Sequence, residues 1–171
     1  MGSDENAITV RSAAGAPLRL DARDRTLLRL LAEDATQTYA ALGAAVNLSA
    51  PAVHERVKRL RKAGVLTATV AKLDGPGVGR PLLAFVEVTT DDWGAKGPFR
   101  NMAAERDVEE VHTVAGDACL LLKVRCADAK ALEALLARLY AIAGVRQTRT
   151  TVVLSTYLER GPQAVFMEPS L

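Results

Sequence analysis

Asn47-Leu48-Ser49-Ala50-Pro51-Ala52-Val53-His54-Glu55-Arg56-Val57-Lys58-Arg59-Leu60-Arg61-Lys62-Ala63-Gly64 is the stretch from which the fold is read. Ser49 is placed to cap a helix, because its hydroxyl can accept from a backbone N–H in the first turn. Pro51 falls in that first turn, where its missing N–H leaves no bond unmade. Val53, Val57 and Leu60 share one helical face and predict a buried stripe, and Gly64 is a helix stop. Off the stripe stand Ser49, Ala50, His54, Glu55 and Lys58. Arg56, Lys58, Arg59, Arg61 and Lys62 lie within a run of seven residues, 56 to 62, that contains no acid.

Working upstream, Asp21 is an N-cap candidate with Asp24 three residues on, and Leu27, Leu28 and Leu31 give that helix one apolar face. A shorter helix is predicted from about Thr38 to Val46, with Leu42 and Val46 four apart and Asn47-Leu48 as the turn that follows. Downstream, Val65 to Leu73 is rich in Thr and Val with rough alternation, which predicts a strand. Three short-linked helices and a strand predict a winged-helix-like helix-turn-helix. A recognition helix must offer small or polar side chains to base edges while nearby cations grip phosphates. Ser49, Ala50 and His54 are the base-facing candidates on double-stranded DNA; Arg56, Lys58, Arg59 and Arg61 are the phosphate candidates. Glu55 has two readings, a cytosine acceptor or a partner for Arg59 one turn on.

Residues 1–19 are rich in Ala, Gly and Ser without periodicity and are expected to form a flexible tail. Gly75-Pro76-Gly77-Val78-Gly79 is the densest Gly/Pro stretch and marks a boundary. The expected organisation is a helix-turn-helix over 20–64, a linker strand and hinge over 65–81, a second domain over 82–160 and a tail over 161–171. Within the second domain, strands are predicted at Leu82 to Val88, Glu110 to Val114, Cys119 to Arg125 and Thr148 to Leu158. Helices are predicted at Pro98 to Glu105 and at Ala129 to Ala143, where Leu132, Leu135, Leu136 and Leu139 share a face. The order β-α-β-β-α-β is that of the ferredoxin-like split βαβ, so the fold class is α+β. Both helices cover one sheet face. Because Leu120-Leu121-Leu122 is apolar on both sides, the bare face is predicted to be an oligomer interface.

Composition narrows the function classes. With 49% hydrophobic and 25% charged residues, the 171-residue chain belongs with folded rather than disordered proteins. No apolar run approaches the roughly 20 residues of a membrane helix, so no membrane partner is expected. The start of the chain carries Asp4 and Glu5 without an apolar run, which argues against a secretory signal and for the cytoplasm. Residues 1–74 hold 11 basic and 8 acidic side chains, residues 75–171 hold 11 and 12, so the basic surplus lies in the first domain. Cys119 and Cys126, seven apart on one predicted strand, point to opposite faces and do not suit an internal disulfide. His54 and His112 fall in different domains, and no metal-ligand spacing, nucleophile elbow, phosphate loop or dinucleotide motif occurs. No catalytic residue, metal or cofactor is therefore predicted, and the chain is not read as an enzyme. An RNA-binding module of the same topology needs aromatic residues on its central strands, whereas the third strand reads Leu120-Leu121-Leu122-Lys123-Val124.

The sequence resembles the leucine-responsive and asparagine-operon (Lrp/AsnC) regulators. The resemblance is carried by residues 20–28, 42–49, 53–60 and 63–66, then by Val114-Ala115-Gly116-Asp117, Gly144-Val145 and Thr148-Arg149-Thr150, and it spans roughly residues 20 to 158. It implies a nucleoid-associated transcription regulator whose second domain, called RAM, forms dimers and higher oligomers and binds amino acids between copies. By position, the effector region comprises Gly116, Asp117, Cys119, Thr148, Thr150 and Val152. Family members often carry a second acid where this chain has Cys119, which implies weaker recognition of an ammonium group. Arg61 stands where Glu is common, which implies stronger phosphate attraction. Two other readings stand beside a metabolite-controlled regulator: a chromatin-architectural DNA-binding oligomer, and an amino-acid-binding assembly protein without DNA control.

Overall fold

The computed structural model describes residues 8–11, 17–91, 96–162 and 164. The chain divides into two compact units, Met1–Ala71 with Glu159–Leu171, and Lys72–Leu158.

The first unit is built on three helices. Helix α1 (Ala22–Glu33) opens with a reciprocal capping box, the Asp24 N–H donating to the Asp21 carboxylate at 2.8 Å and the Asp21 N–H to the Asp24 carboxylate at 3.1 Å. Helix α2 (Tyr39–Val46) is capped by Thr38 and ends at Asn47, whose φ of 53° lies in the left-handed region that Asn tolerates. The next turn is tight because Gly43 has no side chain: a Cβ there would stand 2.4 Å from the Leu48 carbonyl oxygen. Helix α3 (Ala50–Lys62) has the Ser49 cap and the early Pro that its sequence announces. Val53 and Val57 of α3 pack with Leu27, Leu42 and Val46 in one core, while Leu60 joins Leu20 and Leu28 in another, against which Ala164 packs.

Two expectations change in this unit. Residues 1–19, read as a tail, contain strands β1 (Ile8–Arg11) and β2 (Pro17–Leu20), paired antiparallel with Ile8 opposite Leu20. Strand β2 is held because Leu20 is buried in the second core and Leu18 packs beside it. Val65 to Leu73, read as a strand, forms no ladder, and Val70 and Leu73 are exposed. Thr and Val favour a strand only where a neighbour takes their N–H and C=O groups, and among the described residues none lies alongside. The helix-turn-helix therefore has no wing at this position.

The second unit carries β3 (Leu82–Thr90), α4 (Lys96–Ala103), β4 (Val108–Thr113), β5 (Leu120–Cys126), α5 (Ala129–Tyr140) and β6 (Val145–Val152). The sheet order is β4-β5-β3-β6 with every neighbour antiparallel, the arrangement of the split βαβ unit. Asp128 caps α5, and Leu132, Leu135 and Leu139 of α5 bury with Met102 of α4 against Val86, Val88, Leu120, Leu122 and Val124. The last strand stops at Val152 rather than Leu158, because β3 begins at Leu82 and offers nothing opposite once the Val153 N–H has bonded the Leu83 carbonyl. Register fixes the two faces. Val86 pairs with Leu122 and Thr150, and Val88 with Leu120 and Thr148, on the helix side. Phe85 pairs with Lys123 and Thr151, and Glu87 with Leu121 and Arg149, on the open side.

Candidate functional site

In the first unit the base-facing candidates are where the sequence placed them. Ser49 and His54 are exposed and Ala50 is half-buried on the first turns of α3, as an approach to base edges requires. His54 is steadied by Tyr39 at the start of α2, with ring centroids 5.5 Å apart. No local pattern discloses this contact, because the two residues meet only once α2 and α3 have crossed. Lys58 is exposed beside Glu55 at 4.0 Å, and Arg61 is exposed with its guanidinium 3.4 Å from the Thr69 hydroxyl. Glu55 lies 3.5 Å from His54 and does not take up the predicted pairing with Arg59.

Arg56 and Arg59 differ from expectation. Arg56 donates to the Asp21 carboxylate at 2.6 Å and to the Asp24 carboxylate at 2.8 Å, and Arg59 donates to Asp24. Asp24 is completely buried. A carboxylate out of reach of water needs compensating charge, and α3 supplies it from residues three apart on one flank. Partial burial raises the Asp21 carboxyl pKa, but the Asp24 N–H and the Arg56 guanidinium outweigh it and hold the group below the usual aspartate range. Arg56, taken from the sequence as a phosphate contact, is thus the tie between recognition helix and α1. A basic run does not reveal which of its members an acid 32 or 35 residues upstream will claim.

In the second unit Gly116 and Asp117 lie in the connection between β4 and β5. Asp117 lines a pocket of about 70 Å3 with Ala118, Glu87 and Thr89 of β3, and Gln147 and Arg149 of β6. Arg149 stands 3.9 Å from Glu87, so cation and anion face the same small space. The expected grouping of Asp117 with Thr148, Thr150 and Val152 does not form within one chain. Those three residues pair with Val88, Val86 and Ala84 on the helix side, and the alternate residues Gln147 and Arg149 share the open side with Glu87. A strand alternates faces at every residue, so Thr148, Thr150 and Val152 share one face and Gln147 and Arg149 the other. Cys119 sits just before β5, its N–H bonded to the Val88 carbonyl and its sulfur 3.9 Å from the Thr90 carbonyl oxygen. Hydrogen bonding at Thr90 lowers the thiol pKa.

Among the described residues no helix is long and apolar enough to cross a membrane, and no group of three or more His, Cys, Asp or Glu side chains is arranged to hold a metal ion.

Comparison with known proteins accounts for both units. Residues 20–61 match the AsnC-type helix-turn-helix domain, and residues 83–163 match the Lrp/AsnC ligand binding domain. The chain is 41% identical over 140 residues to the HTH-type transcriptional regulator LrpA of Mycobacterium tuberculosis, covering 81% of this chain and 92% of that protein. It is 36% identical to the leucine-responsive regulatory protein of Escherichia coli, covering 79% and 85%. Among solved structures it resembles the feast or famine regulatory protein of M. tuberculosis complexed with L-methionine, with 38% identity, a TM-score of 0.77 and coverage of 82% of this chain and 95% of that one. With a capped helix-turn-helix and a split βαβ sheet in the family's order, the chain belongs to the Lrp/AsnC family of transcriptional regulators.

Proposed function

We propose that the protein is a non-enzymatic, sequence-specific DNA-binding transcription regulator that works as a homo-oligomer in the cytoplasm, its DNA binding modulated by a small amino-acid-type metabolite. The observation that carries the reading is α3 itself: capped, packed on α1 and α2 by its apolar stripe, and presenting Ser49, Ala50, His54, Lys58 and Arg61 outward. In this reading Ala50 and His54 approach base edges, while Lys58 and Arg61 contact phosphates.

For the effector, the pocket at Asp117 offers Arg149 to a carboxylate and Asp117 with Glu87 to an ammonium group. Its 70 Å3 is about half the roughly 150 Å3 of a cavity that takes up a benzene ring, so a metabolite there needs a second wall from another copy. The relative solved with L-methionine supports an amino acid as the ligand class. Control of DNA binding then requires the ligand to favour one assembly or DNA-competent state over another.

The test is to measure duplex affinity against salt concentration. Lys58→Ala and Arg61→Ala should each flatten the slope of log affinity against log salt by about 1, and Ala50 or His54 substitutions should change which sequence is preferred. Salt-independent binding, or none, overturns the reading. Calorimetric titration of amino acids against wild type and Asp117→Ala tests the effector site. Equal binding to both removes Asp117 from it, and no ligand at millimolar concentration favours a purely architectural oligomer.

A further inference from the structure

The acid-free run on α3 holds five cations, four of them read from the sequence as phosphate contacts, but the structure divides them. Arg56 is bridged by two carboxylates, and its side chain is only 24% exposed. Arg59 is different, with a side chain 46% exposed and Asp24 as its acidic partner. Its half-exposed side chain is turned back toward α1 by that single carboxylate. We propose that Asp24 is a specificity-determining residue: by holding Arg59, and with Asp21 holding Arg56, it keeps two of the five cations of α3 away from the phosphate backbone and so limits attraction to arbitrary sequence. The inference rests on the reading of α3 as the DNA-contacting helix.

The physical basis is an asymmetry between two kinds of complex. When base contacts fix the pose of α3, the reach of each cation is fixed as well, and an additional free arginine gains only what that pose allows. When no base contacts form, the helix settles wherever most cations meet phosphates, and each new contact adds fully to affinity and to its salt dependence. Releasing a cation therefore favours arbitrary DNA over the preferred site. Asp24 serves this role from the interior, where it adds no exposed negative charge to the DNA-facing surface.

The experiment uses the full chain and a mixed-sequence duplex, with affinity followed across salt concentrations for wild type, Asp24→Asn, Arg59→Gln and the double variant. Asp24→Asn keeps the shape of the side chain and the oxygen that accepts from the Asp21 N–H and from Arg59, but removes the charge that retains Arg59; its amide N–H2 then faces Arg56, which keeps the Asp21 carboxylate. The expected results are stronger binding to mixed-sequence DNA by Asp24→Asn and a salt slope steeper by about 1. Adding Arg59→Gln should abolish that gain, and Arg59→Gln alone should leave the wild-type slope unchanged. Selection from a randomised duplex pool should give Asp24→Asn a flatter base preference.

Weaker binding by Asp24→Asn with an unchanged slope would mark the carboxylate as merely structural and overturn the proposal. A slope flattened by about 1 in Arg59→Gln alone would overturn it too, by showing Arg59 already on phosphate, and this arm does not depend on how well Asp24→Asn folds. A wild-type protein without salt-dependent binding would bring down the reading of α3 and this inference together. Salt-dependent wild-type binding with unmoved variant slopes would bring down this inference alone.

Discussion

Asp24 has no exposed surface, and a carboxylate so placed persists because two guanidinium groups and a backbone N–H surround it. Arg56→Ala removes one of those groups and leaves both Asp21 and Asp24 short of charge. The expected loss is on the order of 3 kcal/mol for the first unit, the usual consequence of stranding one partner of a buried pair. Urea unfolding read by hydrogen exchange at α1 and α3 amides checks this, and a change below about 1 kcal/mol, the scale of a surface pair, would contradict it. Acid probes the same network. Folding lowers the Asp21 pKa, so its stabilisation is complete above the ordinary aspartate pKa of about 3.9 and is lost as pH falls through the folded value. Wild type should therefore lose more stability below about pH 4 than Asp21→Asn does, and parallel curves would refute that. The cysteines give a second contrast. Hydrogen bonding at Thr90 lowers the Cys119 thiol pKa, whereas burial pushes Cys126 up, and Cys126 has no exposed surface. Iodoacetamide should label Cys119 first by a wide margin; equal rates would mean that the core around Cys126 opens as readily as the loop.

At the level of elements, the turn between α2 and α3 depends on Gly43. The Leu48 N–H donates to the Gly43 carbonyl at 2.9 Å, and the Leu48 carbonyl passes where a Cβ would stand. Gly43→Ala should destabilise the first unit by about 1–3 kcal/mol, the range of forced overpacking, because the obstacle is backbone rather than a side chain that can rotate away. Thermal melting checks the loss, and a melting point at or above wild type would show that the turn yields. Helices of this kind were legible in the sequence because cap, stripe and stop are local: Ser49, Pro51, Val53, Val57 and Leu60 announce α3 within a dozen residues. The strands were legible only in part. Val65 to Leu73 has strand composition but no neighbour, and Leu18 and Leu20 have a neighbour and a core that no local pattern discloses. The pocket at Asp117 was half legible: the Gly116-Asp117 turn stands out, but whether Thr148 or Arg149 faces it depends on strand register, which is set across the sheet by β3.

For the molecule as a whole, the open side of the four-stranded sheet is the face we propose for contact between copies, and it carries charged as well as apolar side chains. Leu120 and Leu122 turn toward the helices, and the open side carries Phe85 and Leu121 near its centre among ion pairs. Lys123 lies 3.4 Å from Glu109 and 3.5 Å from Glu110, Arg125 2.6 Å from Glu109, and Arg149 faces Glu87. Each of these three cations meets an anion of its own face, so two copies can stack there with an apolar centre and a charged surround as in protein interfaces generally. The two helices already cover the other side, and closed two-fold assembly is the simplest way to cover this one. Wild type should therefore be an even-numbered oligomer by light scattering at micromolar concentration. Phe85, 37% exposed on a central strand and opposite Lys123 and Thr151, is a large apolar side chain of the open face that lies outside the chain's own core. Phe85→Glu places an unpaired charge at the centre of that contact and should lower the measured mass by a factor of two or more while leaving the sheet folded, whereas Phe85→Leu should retain the assembly. An unchanged mass for Phe85→Glu would move the interface to another surface, and a monomeric wild type would leave the open face to solvent.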